Sequence, residues 1–215
     1  MQPKWLDWAQ RLQALAQTGL NYGPHIFDME RYEAVREIAA EMMVAYTDAD
    51  IEKVMGMFIG QTGHATPKID VRGVVFRDNA ILMVRENLDG GRWTLPGGWA
   101  DINESPAEAT VREVYEESGY RTRAVKLLAL YDRNKHHPPS IFHAYKVMIQ
   151  CELIGDAPED EHAAEESASF QETGEATFFR EDQLPHDLSI GRITRPQILR
   201  FFEHNRNPNL PTDFD

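Results

Sequence analysis

The chain has 215 residues, of which 42% are hydrophobic and 27% charged, a composition typical of globular domains that can bury a core. Its 22 Lys and Arg against 35 Asp and Glu give a net charge of −13, which disfavours DNA binding because phosphate backbones need clustered basic residues. No apolar run approaches the roughly 18–20 residues of a membrane span, and a single cysteine, Cys151, excludes an internal disulfide. We expect a protein of a reducing compartment, the cytoplasm.

Residues 1–65 are predicted to form a small all-helical region. Apolar side chains recur at helical spacing at Trp5, Trp8, Leu12 and Leu15. Asp28 can cap a second helix. The apolar side of that helix consists of Met29, Tyr32, Val35, Ala39, Met42 and Tyr46. A short third helix is expected at residues 51–58. Because apolar stripes of this kind usually pack, we expect them to lie in a core or at a subunit interface.

From residue 66 the pattern changes to strands and predicts a second domain over residues 66–204. Residues 69–77 and 80–85 are rich in branched apolar side chains, and the Asp78-Asn79 pair between them predicts a hairpin turn. Further strands are predicted at residues 92–95, 124–131, 141–153 and 176–179. A last helix is expected at residues 195–204, followed by a loose tail over 205–215. Strands mixed with segregated helices indicate an α+β or α/β sandwich.

One helix, Pro106–Ser118, carries signals at both ends. Ser105 stands at the N-cap position, and Glu108 follows three residues later, which together form a capping box. Proline is favoured at the first helical position, where Pro106 stands. Gly119 follows the last turn, where a helix usually ends in a left-handed residue.

Three glutamates are expected to share one face of this helix, at positions i, i+3 and i+4: Glu113, Glu116 and Glu117. The apolar residues of the opposite side are expected to pack against the sheet: Ala107, Val111 and Val114. Carboxylates so close together repel one another, and the C-terminal end of a helix disfavours negative charge. Arg112 offsets only part of this repulsion. A divalent cation that prefers oxygen ligands, Mg²⁺ or Mn²⁺, would relieve the rest.

The glycine-rich turn at residues 95–98 and this helix belong to one longer pattern: Gly98, Glu104, Arg112, Glu113, Glu116, Glu117 and Gly119. This spacing, G-x5-E-x7-R-E-U-x-E-E-x-G-U with U apolar, resembles the box of the Nudix family. Tyr120 stands where that pattern usually has an aliphatic residue. Residues 17–20, 131–135 and 189–192 are similar to a bacterial subgroup that acts on nucleoside diphosphates linked to another moiety.

The resemblance implies an α/β/α sandwich around a mixed sheet, preceded by a helical N-terminal extension. It also implies Mg²⁺ or Mn²⁺ as cofactor and a homodimer. The glutamates that ligate metal in the family match Glu113, Glu116 and Glu117, and a glycine that often supplies a carbonyl ligand matches Gly97. Arg112 and Glu104 match an ion pair that orients the metal ligands from outside.

The general base stays open between a box glutamate and an acid from a later loop. Residues 155–176 hold eight acids and no Lys or Arg, and most of this run is expected to be solvated loop. Glu172 and Glu175, next to the strand at 176–179, are best placed to act as base or as an extra ligand. The ring of Trp99 can stack on the nucleobase of the substrate or cover the start of the helix. Arg133 and Lys135 are expected near the substrate phosphate or the linked moiety.

The resemblance implies a pyrophosphohydrolase that cleaves the diphosphate of its substrate into a nucleoside monophosphate and a phosphorylated second product. CDP-choline and ADP-ribose are favoured, while other nucleotide sugars, dinucleoside polyphosphates, NADH and an RNA end remain open. The alternative is a Nudix-fold nucleotide sensor or regulatory binding module. Sensors of that kind tend to carry damaged boxes and a basic DNA-binding domain, whereas residues 1–65 hold five basic and nine acidic residues. The expected partners are a small nucleotide and a second copy of the chain, with neither membrane nor DNA.

Overall fold

The computed structural model describes residues 2–23, 25–155 and 173–215. The chain divides into two compact units, Met1–Lys68 with Pro138–His143, and Ile69–His137 with Ala144–Asp215. We call the first the helical unit and the second the sheet unit. Within the described residues, no helix combines the length and the apolar character that a membrane crossing requires.

The helical unit contains α1 (Lys4–Tyr22), α2 (Ile26–Ala45) and α3 (Ile51–Ile59). Asp50 caps α3, because its carboxylate accepts the backbone N–H groups of the next helical turn. The predicted cap of α2 was wrong: α2 begins at Ile26, its N-cap is His25, and Asp28 lies in the first turn. A negative charge there still favours the helix through its dipole.

Four alanines lie among the buried residues of α1 and α2, and Trp5 of α1 stacks on Tyr46 at the end of α2 with ring centroids 5.1 Å apart. The buried residues of the two helices are Leu6, Ala9, Gln13, Ala16, Ala39, Ala40 and Met43. The core prediction was therefore wrong for Trp8 and Leu15, which are 51% and 63% exposed, and for Tyr46, which is 64% exposed. Alanine and glycine allow close approach: a Cβ on Gly19 would stand 2.3 Å from the ring of Tyr32. For these exposed aromatic and aliphatic residues, the other expectation, a place at a subunit interface, stays a prediction.

The sheet unit contains seven strands and three helices among the described residues. They are β1 (Lys68–Arg77), β2 (Ala80–Glu86), β3 (Arg92–Thr94), α4 (Pro106–Ser118), β4 (Thr122–Asp132), α5 (Arg133–His136), β5 (Ala144–Leu153), β6 (Thr173–Arg180), α6 (Arg195–Arg206) and β7 (Asp213–Phe214). The strand order is β3-β2-β1-β5-β4-β7, with β6 paired to β2. The pairs of β2 with β1, β3 and β6 and of β4 with β5 are antiparallel, whereas β4 and β7 are parallel. The predicted mixed sheet is confirmed.

Helices cover both faces of this sheet. Neighbouring residues of β2 point to opposite faces, so Ile81 packs in the same cluster as Phe201 of α6, whereas Leu82 packs in the same cluster as Val114 of α4. The predicted α/β/α sandwich is thus confirmed. The predicted hairpin is also present, because Asp78 and Asn79 both adopt positive φ, 50° and 60°, as a tight hairpin turn requires.

Two segments differ from the sequence-based expectation. β5 begins at Ala144 instead of residue 141, because residues 138–143 belong to the helical unit, where Gln10 donates to the carbonyl of Ser140 at 2.8 Å. The C-terminal residues, predicted as a loose tail, end in β7, which pairs with β4. Asp213 also accepts hydrogen bonds from Arg200 at 2.7 and 2.8 Å. These pairings hold the segment against the sheet.

Candidate active site

The box helix α4 is positioned by its two ends. Ser105 Oγ accepts the N–H of Glu108 at 3.2 Å, and Glu108 Oε2 accepts the N–H of Ser105 at 2.8 Å. Gly119 is left-handed with φ 71°, and its N–H donates to Tyr115 O at 2.7 Å. The predicted capping box and helix end are both confirmed. Together they fix where α4 begins and where it ends.

Two of the three box glutamates face the protein interior. Glu113 and Glu117 are only 9% and 7% exposed, and Val114 between them lies against β1, where a Cβ on Gly73 would stand 2.3 Å from it. The prediction that Ala107 and Val111 pack on the sheet was wrong, since Ala107 is exposed and Val111 half-buried. The close approach at Gly73 rotates α4 so that Val114 and the carboxylates point inward.

The glycine-rich loop lies beside β1 and reaches the same glutamates. Backbone N–H groups of Val71 and Gly73 donate to the carbonyls of Gly98 and Pro96, each at 2.8 Å. Gly97 has φ 143°, and a Cβ there would stand 2.1 Å from Val71 O, so only glycine fits. The N–H of Gly97 donates to Glu117 Oε2 at 2.8 Å.

Gly98 lies close to the carboxylate of Glu113, the second buried glutamate. A Cβ on Gly98 would stand 2.8 Å from Glu113 Oε2. Both glycines of the loop therefore leave room for a carboxylate of α4. This packing explains why the loop and the helix are linked in one sequence pattern.

Arg112 connects the remaining acids of the box. Its Nε and Nη2 donate to Glu104 at 2.9 Å each, while Nη1 donates to Glu113 at 2.8 Å and to Glu116 at 3.1 Å. The hydrogen bond from Arg112 lowers the pKa of Glu104. One guanidinium thus gathers two candidate metal ligands and ties the loop before α4 to the helix.

Burial controls the ionisation of the inward glutamates. Burial raises the pKa of Glu117 to about 8, although the charge of Arg72 and the hydrogen bond from Gly97 act in the opposite direction. Burial likewise raises the pKa of Glu113. Glu86, which is 6% exposed, adds a further negative charge near Glu117. These desolvated carboxylates favour either protons or cations.

We tested whether these residues fit a divalent cation. Oxygen donors that are mostly carboxylate match Mg²⁺ or Mn²⁺ in chemistry, and buried Glu117 accepts one hydrogen bond, from Gly97. However, no three His, Cys, Asp or Glu side chains in the described ranges are grouped closely enough to hold a metal. Glu113 and Glu116 instead surround Arg112, and Glu117 lies separately against the loop. The donor set fits in kind, and these side chains must rearrange around a cation.

The other predicted site residues are less closely associated. Glu175 on β6 is exposed and pairs with Arg85 at 3.4 Å rather than with a box glutamate. Glu172 lies outside the described residues. Trp99 is 51% exposed, beside the loop. On α5, Arg133 is half-buried and Lys135 exposed, and the charge of Asp70 acts on Arg133.

Sequence reasoning missed several buried charges: Asp70, Arg72, Glu86 and Lys146. Arg72 and Lys146 both bond to Asp70, and Arg192 Nε lies 3.1 Å from Glu86 Oε2. A usable signal was present in β1, where an acid and a base stand two positions apart, and hence on one face, within an apolar strand. The contact between Asp70 of β1 and Lys146 of β5 could not be inferred from neighbouring residues in the sequence.

Comparisons with known proteins agree with this geometry. Residues 66–198 match the family model of the NUDIX domain, and residues 3–58 match a model described as a UDP-X-like N-terminal oligomerisation domain. The chain therefore belongs to the Nudix family, and it is a Nudix hydrolase with the helical N-terminal domain of the UDP-X-like type. The resemblance noted in the sequence is confirmed.

Individual relatives cover most or all of the chain. A Bacillus subtilis (strain 168) protein, YjhB, provisionally named an ADP-ribose pyrophosphatase, is 45% identical over all of this chain and 99% of its own. A crystal structure of a UDP-X diphosphatase is 31% identical with TM-score 0.60 and covers 99% of this chain and 98% of that one. The crystal structure of an ADP-ribose pyrophosphatase from Streptococcus suis 89-1591 is 36% identical, with TM-score 0.59, over 70% of this chain and all of that one.

Proposed function

We propose that this Nudix hydrolase cleaves the diphosphate of a nucleoside diphosphate linked to a second moiety, with Mg²⁺ as cofactor. The products are a nucleoside monophosphate and the phosphorylated second moiety. The observation that carries the proposal is the convergence of the glycine loop and α4 on the box carboxylates, with Gly97 bonded to Glu117. Carboxylates on one side of α4 suit a metal-bridged anionic substrate, which a protein of net charge −13 would otherwise repel.

ADP-ribose is the first substrate we propose, because relatives similar over most of the chain carry that name. UDP-linked compounds follow from the relative described as a UDP-X diphosphatase. CDP-choline is retained from the resemblance of residues 131–135 and 189–192 to the subgroup described above. All three share a diphosphate between a nucleoside and another group, and they differ in the base and in that second group.

For the metal we propose the ligands Glu113, Glu116 and Glu117 with the carbonyl of Gly97. When bound, Mg²⁺ neutralises phosphate oxygens and makes water more acidic. Arg112 already holds two of these carboxylates and is positioned to orient them. Its bonds to Glu104 fix the guanidinium in turn, which we propose as the role of that acid.

For the general base we favour a box glutamate over a later acid. Glu175 is exposed and pairs with Arg85 and Thr177, so it would have to leave both contacts to reach substrate. Glu172 stays a candidate on sequence grounds. Glu175→Gln is expected to keep activity within about threefold of wild type, as surface changes usually do. A loss of several hundredfold would move the base to Glu175.

We propose that Trp99 and Arg133 lie against substrate. Trp99 offers an exposed ring beside the glycine loop, which suits stacking on a base. Arg133 has a partly accessible guanidinium that suits phosphate. Lys135 is more exposed and contributes only general positive charge.

The decisive experiment is a panel of substrates with phosphate or monophosphate detection, run with Mg²⁺ and with chelator. We expect turnover of ADP-ribose or of a UDP- or CDP-linked compound, and its loss in chelator. Undiminished hydrolysis in chelator would refute the metal requirement. Metal-dependent binding without turnover would support the ligand-sensor alternative.

We further propose that the chain is a homodimer formed through its helical unit. Exposed apolar residues concentrate there: Trp8, Leu15, Tyr22, Ile26, Phe27, Ile38 and Tyr46. The matching family model is described as an oligomerisation domain. Trp8→Glu with Leu15→Glu should give a monomer by light scattering, whereas Arg123→Glu on the surface of the sheet unit should not. A monomeric wild type would contradict the proposal.

The cytoplasmic location is proposed from the cysteine content alone.

A further inference from the structure

Three charged side chains form a buried cluster where β1 passes the glycine loop. Arg72 Nε and Nη2 donate to Asp70 at 2.8 and 3.2 Å, and Lys146 of β5 donates to Asp70 Oδ2 at 2.9 Å. Lys146 is fully buried, Arg72 is 4% exposed and Asp70 is 7% exposed. We call these three residues the buried cluster.

The buried cluster carries more positive than negative charge. Burial lowers the pKa of Lys146 to about 8. Burial acts to raise the pKa of Asp70, but Arg72 and Lys146 outweigh it and hold that pKa at about 2. At pH 7 two cations therefore share one carboxylate, and the cluster has a charge of +1.

Stability alone does not explain a fully buried Lys146. The pair of Asp70 and Arg72 is already neutral and bonded through two nitrogens. Taking a further ammonium out of water costs several kcal/mol, and replacing such buried ionic groups by apolar side chains is often neutral or stabilising. A methionine at position 146 would fill similar volume without this penalty. Lys146 therefore adds a positive charge that is not needed to neutralise Asp70.

The buried cluster lies near both the proposed metal ligands and the proposed substrate residue Arg133. On one side, the Cα of Arg72 packs against Gly97, and its charge acts on Glu117 and Glu113. On the other side, the half-buried Arg133 interacts electrostatically with Asp70. A diphosphate held between the box glutamates and Arg133 would thus lie close to the cluster. Charges buried there are screened much less by salt than surface charges.

We propose that the net positive charge of the buried cluster, supplied by Lys146, attracts and positions the diphosphate group of the substrate. This inference rests on the proposed function. Lys146 is not exposed to solvent, so it cannot contact the anion directly. It acts through the electrostatic field of its charge and through Arg72, and it is therefore a positioning residue. A fixed positive charge helps an acidic protein to bind an anionic ligand.

The experiment measures binding of inorganic pyrophosphate by calorimetry at pH 7 with Mg²⁺, beside KM and kcat for any nucleotide that is turned over. Lys146→Met leaves the neutral Asp70–Arg72 pair, so it should fold. We expect pyrophosphate affinity to fall about tenfold and KM to rise similarly, as removal of a buried unit charge near a multiply charged anion predicts. We expect kcat to change less than about threefold, because the reacting groups are untouched.

A double variant separates charge from structure. Lys146→Met with Asp70→Asn leaves Arg72 alone and restores the charge of +1, so pyrophosphate affinity should return toward wild type. If Lys146→Met weakened binding through a structural defect, then also removing the Asp70 carboxylate would not restore the affinity. Lys126→Met is the matched control: it removes one lysine from β4, where Nζ bonds to the carbonyls of Pro208 and Leu210, and it should bind pyrophosphate as wild type does.

Four results would overturn the proposal. They are unchanged pyrophosphate affinity in Lys146→Met, equal loss in the single and double variants, failure of Lys146→Met to fold, and absence of pyrophosphate binding by wild type. Failure of the proposed function has a different signature. Wild type would then hydrolyse none of the nucleotides, while pyrophosphate binding would still respond to the charge of the buried cluster.

Discussion

The ionisation of Glu117 leads to a quantitative prediction for the metal-free protein. An exposed glutamate has a pKa of about 4.3, whereas burial raises the pKa of Glu117 to about 8. The folded state binds this proton more tightly than the unfolded state, so stability falls as the pH rises from about 4 to 8. One pKa unit corresponds to about 1.4 kcal/mol, so the ionisation of Glu117 lowers the free energy of unfolding by about 3.5 kcal/mol between pH 5 and pH 8.

Glu117→Gln removes this titration and keeps an oxygen that can accept the N–H of Gly97. In chelator, we expect the stability advantage of the variant over wild type to grow by about 3.5 kcal/mol between pH 5 and pH 8. With saturating Mg²⁺, wild type should gain stability by mass action and the variant should gain little. Denaturant unfolding at several pH values measures both effects.

The control for this prediction is Glu152→Gln, which changes a surface glutamate paired with Arg123. It should keep the pH slope of wild type. Parallel stability curves for wild type and Glu117→Gln in chelator would refute the reasoning. That result would mean that Glu117 is solvated enough to ionise normally without metal.

The remaining predictions concern the elements that position the box and one glycine of the helical unit. Arg112→Lys should lose about 10- to 100-fold in kcat/KM or Mn²⁺ affinity, because a single ammonium cannot reproduce the fork that holds three carboxylates; near-normal values would show that charge suffices. Gly119→Ala should cost about 1–2 kcal/mol in unfolding free energy, since φ is 71° there. Gly56→Ala, inside α3 with open space around it, should stabilise by about 0.5–1 kcal/mol. Ser105→Ala should cost about 1 kcal/mol through loss of the cap, and unchanged denaturation midpoints would contradict both destabilising predictions.

Features that depend on neighbouring residues were predictable from the sequence. The capping box of Ser105 and Glu108, the left-handed Gly119 and the hairpin at Asp78-Asn79 are all present. Each depends on local backbone geometry that its own side chains determine.

The faces of the helices were predicted less well, because hydropathy alone does not say which stripe packs. On α1, Ala9 and Ala16 are buried while Trp8 is exposed. On α4, Glu113 and Glu117 face inward while Ala107 faces outward. In both cases a glycine allows a close approach, Gly19 of α1 to the ring of Tyr32 and Gly73 of β1 to Val114 of α4. A pattern of large apolar residues does not reveal such contacts.

The sequence by itself determined the order of the elements, the ends of α4 and the spacing of its acids, because these depend on contacts within a few residues. Only the tertiary structure decided how those acids are solvated and what opposes their charge. Asp70 and Lys146 stand 76 positions apart, and pairing between strands of the sheet brings them into contact. Burial then removes water from the cluster and from Glu117, so electrostatic interactions that would be weak on an exposed surface become strong there.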